Sequence, residues 1–243
     1  MLVRALGKVK AILRYPVKSM AGEALNSVPL GWGGLEGDRR LAFRRENDSS
    51  GFPWLTAGKL PALVLYRPLT LAHATASTLP THVATPGGET LELHGEALRQ
   101  ELSARHGSEV RLMYLRQGVY DEAPISLIST TTIAAIEAAA GHSLGIRRFR
   151  PNLVIETADD VPFPEDAWIG KTLRIGTDTP ATIAVTLPDV RCGMLNLDPE
   201  TAVADPMVLK TLVRLHGNCA GVYGTTFRQG VVSVGDLVYG EEA

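Results

Sequence analysis

The chain has 243 residues, with 24 lysines and arginines against 26 aspartates and glutamates, so its formal net charge is −2. This balance argues against a dedicated nucleic-acid-binding protein and against a protein that attaches to anionic membranes. With 45% hydrophobic residues and two cysteines, the composition is that of a soluble globular protein and not of a disulfide-rich secreted domain. No apolar run reaches the length of about 18 residues that a membrane span needs, and residues 1–13 lack the apolar core of a signal peptide, so we expect a cytoplasmic protein.

Short apolar or alternating segments predict β-strands along most of the chain. These segments are residues 9–13, 40–44, 63–66, 153–155, 182–185, 231–234 and 237–239. Between the last two, Gly235 and Asp236 are typical of a hairpin turn, with their order favouring type II′. Residues 69–88 are rich in Thr, Ala, Pro and His and predict a long connection between strands.

Three segments predict helices: residues 96–106, residues 130–140 and the segment between Asp205 and Gly217. Asp205 is a favourable N-cap, and the proline after it fits the first helical turn. Gly141 directly follows the second segment and suits a left-handed helix terminus. Many short strands with few helices favour a β-rich α+β fold with a barrel-like architecture.

The first candidate binding residues lie in turns. Lys18 and Ser19 follow Pro16 at the predicted exit of the first strand, where an ammonium and a hydroxyl suit an anionic oxygen. Arg39 follows a glycine-rich turn and is able to make a forked contact with a phosphate. The simpler interpretations are a surface lysine and a tight turn in which Asp38 pairs with Arg39.

Two further segments place polar groups at element boundaries. Ser129 and Thr132 lie where the second helix begins, and a helix N-terminus with hydroxyl groups binds phosphate readily. One such hydroxyl is also the expected N-cap of that helix. Arg150 and Asn152 flank a proline before the next strand, in a segment with three arginines in four residues. That segment predicts an anion clamp, a solvated basic edge or a small nucleic-acid patch.

Cys192 is the candidate nucleophile or metal ligand. It follows a predicted strand, with Arg191 before it and Gly193 after it. A neighbouring cation favours the thiolate, which attacks electrophiles and binds metals. The simpler interpretation is a small buried thiol. The six histidines are scattered, without HExxH or CxxC spacing, which argues against a zinc site made of protein ligands alone.

In their order along the chain, these segments resemble the MOSC family (the molybdenum-cofactor sulfurase C-terminal domain family) in its two-part form. The matching segments are residues 15–19 (YPVKS), 37–39 (GDR), 149–155 (FRPNLVI), 163–170 (FPEDAWIG), 191–192 (RC), 198–201 (DPET), 221–223 (GVY) and 234–238 (VGDLV). The resemblance implies a β-barrel-like region at residues 1–115 and a β-barrel-like MOSC domain at residues 116–243. Two-part members include amidoxime-reducing components and bacterial reductases of N-hydroxylated bases.

The resemblance also implies a molybdenum–molybdopterin cofactor bound through the Cys192 thiolate. The residues that would contact the cofactor or shape its site are Lys18, Ser19, Arg39, Ser129, Thr132, Arg150, Asn152, Arg191, Asp198 and Thr201. The implied activity is the reduction of N-hydroxylated or N-oxide small molecules. Because no cysteine-rich extension follows the last predicted strand, the electrons would come from a separate ferredoxin-, cytochrome- or flavoprotein-type partner. We expect Cys219 to be structural.

Two other functions stay open. The family includes domains fused to a pyridoxal-phosphate sulfurase, so the chain could instead carry a persulfide on Cys192 or deliver the cofactor to another enzyme. Alternatively, Lys18, Arg39 and Arg150 bind a different phosphorylated ligand, and Cys192 is structural. Loss of ligand in a Cys192→Ala variant would separate the first two functions from the third.

Overall fold

The structure is a computed structural model that describes residues 5–70, 79–177 and 180–242. Within them the strands are β1 (Ala5–Arg14), β2 (Glu23–Leu25), β3 (Ser27–Gly31), β4 (Gly34–Leu35), β5 (Leu41–Arg45), β6 (Arg67–Leu69), β7 (His82–Ala84), β8 (Thr90–Glu92), β9 (Val110–Tyr114), β10 (Ile125–Ser129), β11 (Leu153–Thr157), β12 (Lys171–Ile175), β13 (Ala181–Val190), β14 (Cys219–Arg228), β15 (Gly230–Ser233) and β16 (Leu237–Glu242). The α-helices are α1 (Glu96–His106), α2 (Thr130–Ala140), α3 (Ile146–Phe149) and α4 (Pro206–His216). Short 3-10 helices span Pro61–Leu65, Pro164–Trp168 and Gly193–Asn196.

Seven strands form a closed barrel in the order β11-β10-β14-β13-β12-β16-β1, and β1 pairs with β11 to complete the ring. The β10–β11 pair is parallel, because the segment with α2 and α3 crosses over between the two strands. Each barrel strand contributes buried apolar side chains to one cluster, among them Val9, Ile155 and Ile183. The barrel interior is therefore a packed core, and the predicted β-rich α+β fold is confirmed.

Two further cores flank the barrel. Alternate residues of β10 and β11 face away from the interior, and Ile128 and Val154 pack there with Ile136 of α2 and Leu212 of α4. The second core lies among β5, β9, α1 and the β6-β7-β8 sheet, where Phe43 is buried. None of the helices in the described ranges has both the length and the hydropathy that crossing a membrane requires.

The first strand links the two parts of the chain. β1 precedes residue 115, yet it pairs with β11 through Val9 and Ile155 and with β16 through Lys8 and Leu237. The barrel is therefore not built from residues 116–243 alone. The division between residues 115 and 116 stays a prediction.

All three predicted helices are confirmed, with their terminal residues in the expected roles. The Asp205 side chain accepts a hydrogen bond from the backbone of the first turn of α4, and Gly141 ends α2 in the left-handed conformation. The strand predicted at 63–66 is wrong. Leu63 and Val64 belong to a 3-10 helix that begins at a proline, and their burial alone explains the apolar run. Of the predicted connection at 69–88, residues 71–78 lie outside the described residues, and β7 occupies 82–84.

Gly221 permits a close approach between β14 and β10. Its φ is 87°, and a Cβ at this position would lie 2.5 Å from the Leu127 carbonyl oxygen. We expect Gly221→Ala to lower the free energy of unfolding by about 2–4 kcal/mol, measured by urea denaturation. Gly141→Ala is the matched control, because its φ is 78° but no atom lies within 4 Å. It should cost about 1 kcal/mol. Equal losses in the two variants would contradict the steric explanation.

Candidate functional site

A cavity of about 580 Å³ opens beside the end of β13. It is bounded by the turn after β1, the turn before β5, the segment before β10, α3 and the loop after β13. The sequence-predicted residues that line it are Lys18, Ser19, Arg39, Arg150, Arg191 and Cys192. The fold thus brings together groups from four separate segments, and cationic side chains outnumber carboxylates in the lining.

Arg39 is held from several sides. Its guanidinium donates to the Asp38 carboxylate at 2.5 Å, to Asn152 Oδ1 at 3.3 Å and to the Arg150 carbonyl oxygen at 3.2 Å. Asp38 is fully buried and also accepts a hydrogen bond from the Tyr15 backbone at 2.7 Å. Burial lowers the pKa of Arg39, but Asp38 outweighs burial and raises the pKa above its ordinary value. Arg39 is a fixed cation in the cavity wall.

The charges of Asp38 and Asp121 act on the Arg150 guanidinium, but neither carboxylate forms an ion pair with it. Its guanidinium donates to the Met20 carbonyl oxygen at 2.8 Å and lies 4.2 Å from the centre of the Tyr15 ring. Among the described residues, no carboxylate lies within ion-pair distance of it. Burial lowers the pKa of Arg150 to about 10, so the group stays charged at neutral pH. A partly buried cation without an anionic partner favours binding of an anion from solution.

Lys18 is buried, with 7% of its side chain exposed. Its ammonium donates to Asp121 Oδ1 at 2.9 Å and lies 3.4 Å from the Val119 carbonyl oxygen. Burial lowers the pKa of Lys18, and Asp121 opposes that shift. The next residue, Ser19, is also buried and lines the cavity. We call Lys18, Arg39 and Arg150 the cation cluster.

Three residues of the site have left-handed backbone conformations. The φ angles are 66° at Ser19, 49° at Arg39 and 52° at Arg150. Such conformations are costly for residues other than glycine, and they tend to persist where function requires them. In each case the left-handed residue lies in a connection between regular elements, and its side chain lines the cavity.

Cys192 is exposed and lies directly before the 3-10 helix that follows β13. Beside it, the Arg191 guanidinium donates to the Asp189 carboxylate and to the Phe149 carbonyl oxygen. Asp189 is buried, which raises its pKa, and it accepts a hydrogen bond from Ser126 Oγ at 2.8 Å. Arg191 therefore ties α3 to the end of β13, and a carboxylate already neutralises its charge. The Cys192 thiol stands at the cavity wall beside this fixed support.

Asn152, Asp198 and Thr201 act on the cavity through other residues. Asn152 is fully buried and accepts hydrogen bonds from Arg39 and from the Ser126 backbone. Asp198 accepts a hydrogen bond from Arg148, a lining residue, at 2.9 Å. Its second oxygen accepts hydrogen bonds from the hydroxyl and backbone of Thr201. These three residues position cavity groups and do not themselves line the cavity.

Ser129 and Thr132 are not brought to the cavity. Both are fully buried, and neither is among the lining residues. Ser129 Oγ caps α2 by accepting a hydrogen bond from the Thr132 backbone at 3.0 Å, and the two hydroxyls lie 2.9 Å apart. Glu165 Oε1 accepts the Ser129 backbone N–H at 3.3 Å. Because a buried carboxyl already occupies this helix start, we correct the assignment of these hydroxyls to ligand binding.

The buried Glu165 carboxyl makes a pH-dependent contribution to stability. Burial raises its pKa above the ordinary value of 4.5, so the folded protein keeps this proton at pH values where the unfolded chain has released it. The free energy of unfolding should therefore fall as pH rises from about 4.5 to the folded pKa, by about 1.4 kcal/mol per pH unit. Glu165→Gln should remove this decrease, measured by urea denaturation over that range. If the free energies of unfolding of Glu165→Gln and wild type differed by the same amount at every pH, Glu165 would not be the source of the decrease.

Several lining residues were not singled out from the sequence. They are Asp121, Glu122, Ser126, Arg148, Asp189 and Tyr223. Arg148 and Asp189 lie inside segments that were noticed for their neighbours. No sequence pattern marked Asp121, because its hydrogen-bond partner Lys18 lies 103 positions away in the chain. Within the described residues, no three His, Cys, Asp or Glu side chains come together as a metal site.

Comparison with known proteins agrees with this architecture. The MOSC domain matches residues 95–239, more than half of the chain. Mitochondrial amidoxime-reducing component 1 from Danio rerio is 27% identical over 128 residues, which cover 49% of this chain and only 37% of that protein. The crystal structure of the YuaD protein from Bacillus subtilis is similar in fold, with a TM-score of 0.52 at 13% identity over 98% of this chain and 96% of that chain. The chain belongs to the MOSC family.

Proposed function

We propose that the protein binds a molybdenum–molybdopterin cofactor in this cavity and reduces N-hydroxylated or N-oxide compounds. The observation that carries the proposal is the Arg150 charge, which has no ion-pair partner among the described residues and lies with Arg39 and Lys18 in a cavity whose wall also holds the exposed thiol of Cys192. This combination suits a phosphate-bearing cofactor that brings its own metal. Membership of the MOSC family supports the same cofactor.

The residues present fit that cofactor. Its phosphate and pterin would be held by the cation cluster and Ser19, since guanidinium and ammonium groups pair well with phosphate oxygens. Its metal would need one soft protein ligand, which Cys192 supplies. The described residues offer no cluster of metal-ligating side chains, so a metal here would have to arrive with other ligands of its own.

When bound, the cofactor would supply a two-electron redox centre. The protein residues would bind the cofactor, orient it and neutralise its negative charge. Arg191 donates hydrogen bonds to Asp189 and Phe149, and these bonds fix the backbone next to Cys192. The Asn152 amide keeps the Arg39 guanidinium in the cavity wall. Because the Cys192 side is exposed, a small substrate has access to the thiol without any movement of the barrel.

The substrate class rests on the name of the zebrafish relative, an amidoxime-reducing component. The electrons would come from a separate ferredoxin-, cytochrome- or flavoprotein-type protein.

A second function is favoured by the same exposed thiol. A persulfide on Cys192 would be open to an acceptor protein, and the other cysteine, Cys219, is free and not disulfide-bonded to it. In this case the chain would carry sulfur or deliver the cofactor without redox turnover of its own. Mass spectrometry of Cys192-containing peptides would detect the persulfide.

The test of the proposed function is the molybdenum content, by elemental mass spectrometry, of protein purified from a host that makes the cofactor. We expect a near-stoichiometric signal, and reduction of an N-hydroxylated amidine when a chemical electron donor is added. Loaded protein without N-reductive activity would favour the carrier function. Absence of molybdenum, in a host shown to load another molybdenum enzyme, would overturn cofactor binding.

A further inference from the structure

Asp121 occupies a position where an anionic ligand would be expected. Its carboxylate lies 2.9 Å from the Lys18 ammonium, and both residues line the cavity. Loss of solvation raises the pKa of Asp121, but the charges of Lys18, Arg39 and Arg150 outweigh it and keep the pKa below its ordinary value. Asp121 therefore forms its ion pair with Lys18, and the more distant charges of Arg39 and Arg150 also favour its ionised form.

Asp121 is carried by an anchored connection between β9 and β10, which we call the strap (residues 115–124). Backbone N–H groups of Leu115 and Val119 donate to the carbonyl oxygens of Arg40 and Arg39 at 2.8 and 2.9 Å. The Tyr120 hydroxyl donates to the Gly33 carbonyl oxygen at 2.5 Å. The strap is thus fixed alongside the turn that holds Arg39, and only the side chain of Asp121 needs to rotate for its carboxylate to move.

The two partners of this ion pair differ in their surroundings. Lys18 has 7% of its side chain exposed, whereas Asp121 has 64% exposed. A buried ammonium is costly without an anion beside it, but an exposed carboxylate that leaves its partner is solvated by water at once. The pair therefore favours exchange of one anion for another at Lys18, with Asp121 as the group that leaves.

We propose that Asp121 is the resident counter-ion of the anion site. Its carboxylate holds Lys18 until an oxyanion such as a phosphate group enters, and the two anions then compete for the same ammonium. Asp121 thereby sets a threshold: a doubly charged phosphate displaces it, and a singly charged carboxylate or chloride does not. The proposal uses the cavity of the proposed function but does not require molybdenum.

The test is isothermal titration of inorganic phosphate into the full-length, cofactor-free chain, produced in a host that makes no pterin cofactor. We expect Asp121→Asn to bind phosphate about ten-fold more tightly than wild type, because the variant no longer has to break a charged hydrogen bond. Asp121→Ser should show the same gain, which guards against an effect peculiar to the new amide. Acetate should bind measurably to the variants but not to wild type.

Two controls make the result specific. Glu96→Gln removes an exposed carboxylate of α1 that does not line the cavity, and it should change phosphate affinity by less than about two-fold because solvent and salt screen a charge at that distance. In a Lys18→Met background, Asp121→Asn should give no further gain. Unchanged or weaker binding in both Asp121 variants would overturn the proposal, as would failure of all variants to bind phosphate. Neither result depends on the molybdenum measurement, so the two proposals can fail separately.

Discussion

Cys192→Ser is expected to lose about ten-fold or more of the molybdenum that co-purifies with the wild-type protein. The reason is that a serine hydroxyl is a hard, protonated group at neutral pH, whereas a thiolate is a soft ligand suited to this metal. Because Cys192 is exposed, the substitution should leave the barrel intact. The measurement is elemental mass spectrometry of variant and wild type prepared in parallel.

Cys219→Ser is the matched control for that experiment. Cys219 is partly buried, its thiol points to the Gly217 carbonyl oxygen, and it does not line the cavity. Its molybdenum content should match that of the wild type. Phosphate binding by Cys192→Ser should also survive, since the cation cluster is untouched. Full molybdenum retention in Cys192→Ser would contradict the role of the thiolate as metal ligand and would leave the cation cluster as the group that holds the cofactor.

Asp38→Ala should cause the largest loss of stability among the substitutions considered for this site. Asp38 is fully buried and accepts hydrogen bonds from the Arg39 guanidinium and the Tyr15 backbone. Removing its carboxylate leaves a cation with 15% exposure and a backbone N–H without their partner. We expect the free energy of unfolding to fall by about 3–5 kcal/mol, measured by urea denaturation.

Two comparisons identify the cause of that loss. Asp38→Asn keeps the size of the side chain but removes its charge. Its free energy of unfolding should lie between those of Asp38→Ala and the wild type. Glu96→Ala breaks an ion pair with Arg99 on the exposed face of α1, and its effect should be far smaller. A loss from Asp38→Ala no larger than that from Glu96→Ala would show that the buried pair does not hold the Arg39 turn.

Local signals in the sequence were sufficient for α1, α2 and α4, whereas the short α3 was not predicted. α2 is capped by Ser129 and Gly141, and α4 by Asp205 and Gly217, because capping side chains and left-handed glycines act within one turn of the chain. The apolar run at 63–66 was ambiguous, because a short buried segment shows no hydrophobic periodicity that would separate a strand from a 3-10 helix.

The site was predictable only in part. Six residues were predicted from sequence and do line one cavity: Lys18, Ser19, Arg39, Arg150, Arg191 and Cys192. The hydroxyls of Ser129 and Thr132 had equally suitable chemistry, but Glu165 covers them from 36 positions away. Asp121 could not be predicted either, because its ion pair with Lys18 forms only when the strap packs beside that residue in the folded protein. Which polar group meets which is decided by long-range packing, and one sequence does not reveal it.

Barrel closure by β1 has a consequence for how the chain folds. Ala5 pairs with Tyr239, and Gly7 pairs with Thr157, so the first strand waits for partners that are made much later. During synthesis β2 is able to pair early with Ile12–Arg14, but the edge facing β11 and the first half of β1 stay unpaired until β11 and then β16 emerge. Contacts this distant in sequence slow folding. The nascent chain is therefore most exposed to aggregation just before its last strand is complete. Truncations that remove β16 should yield insoluble protein and not a smaller soluble domain.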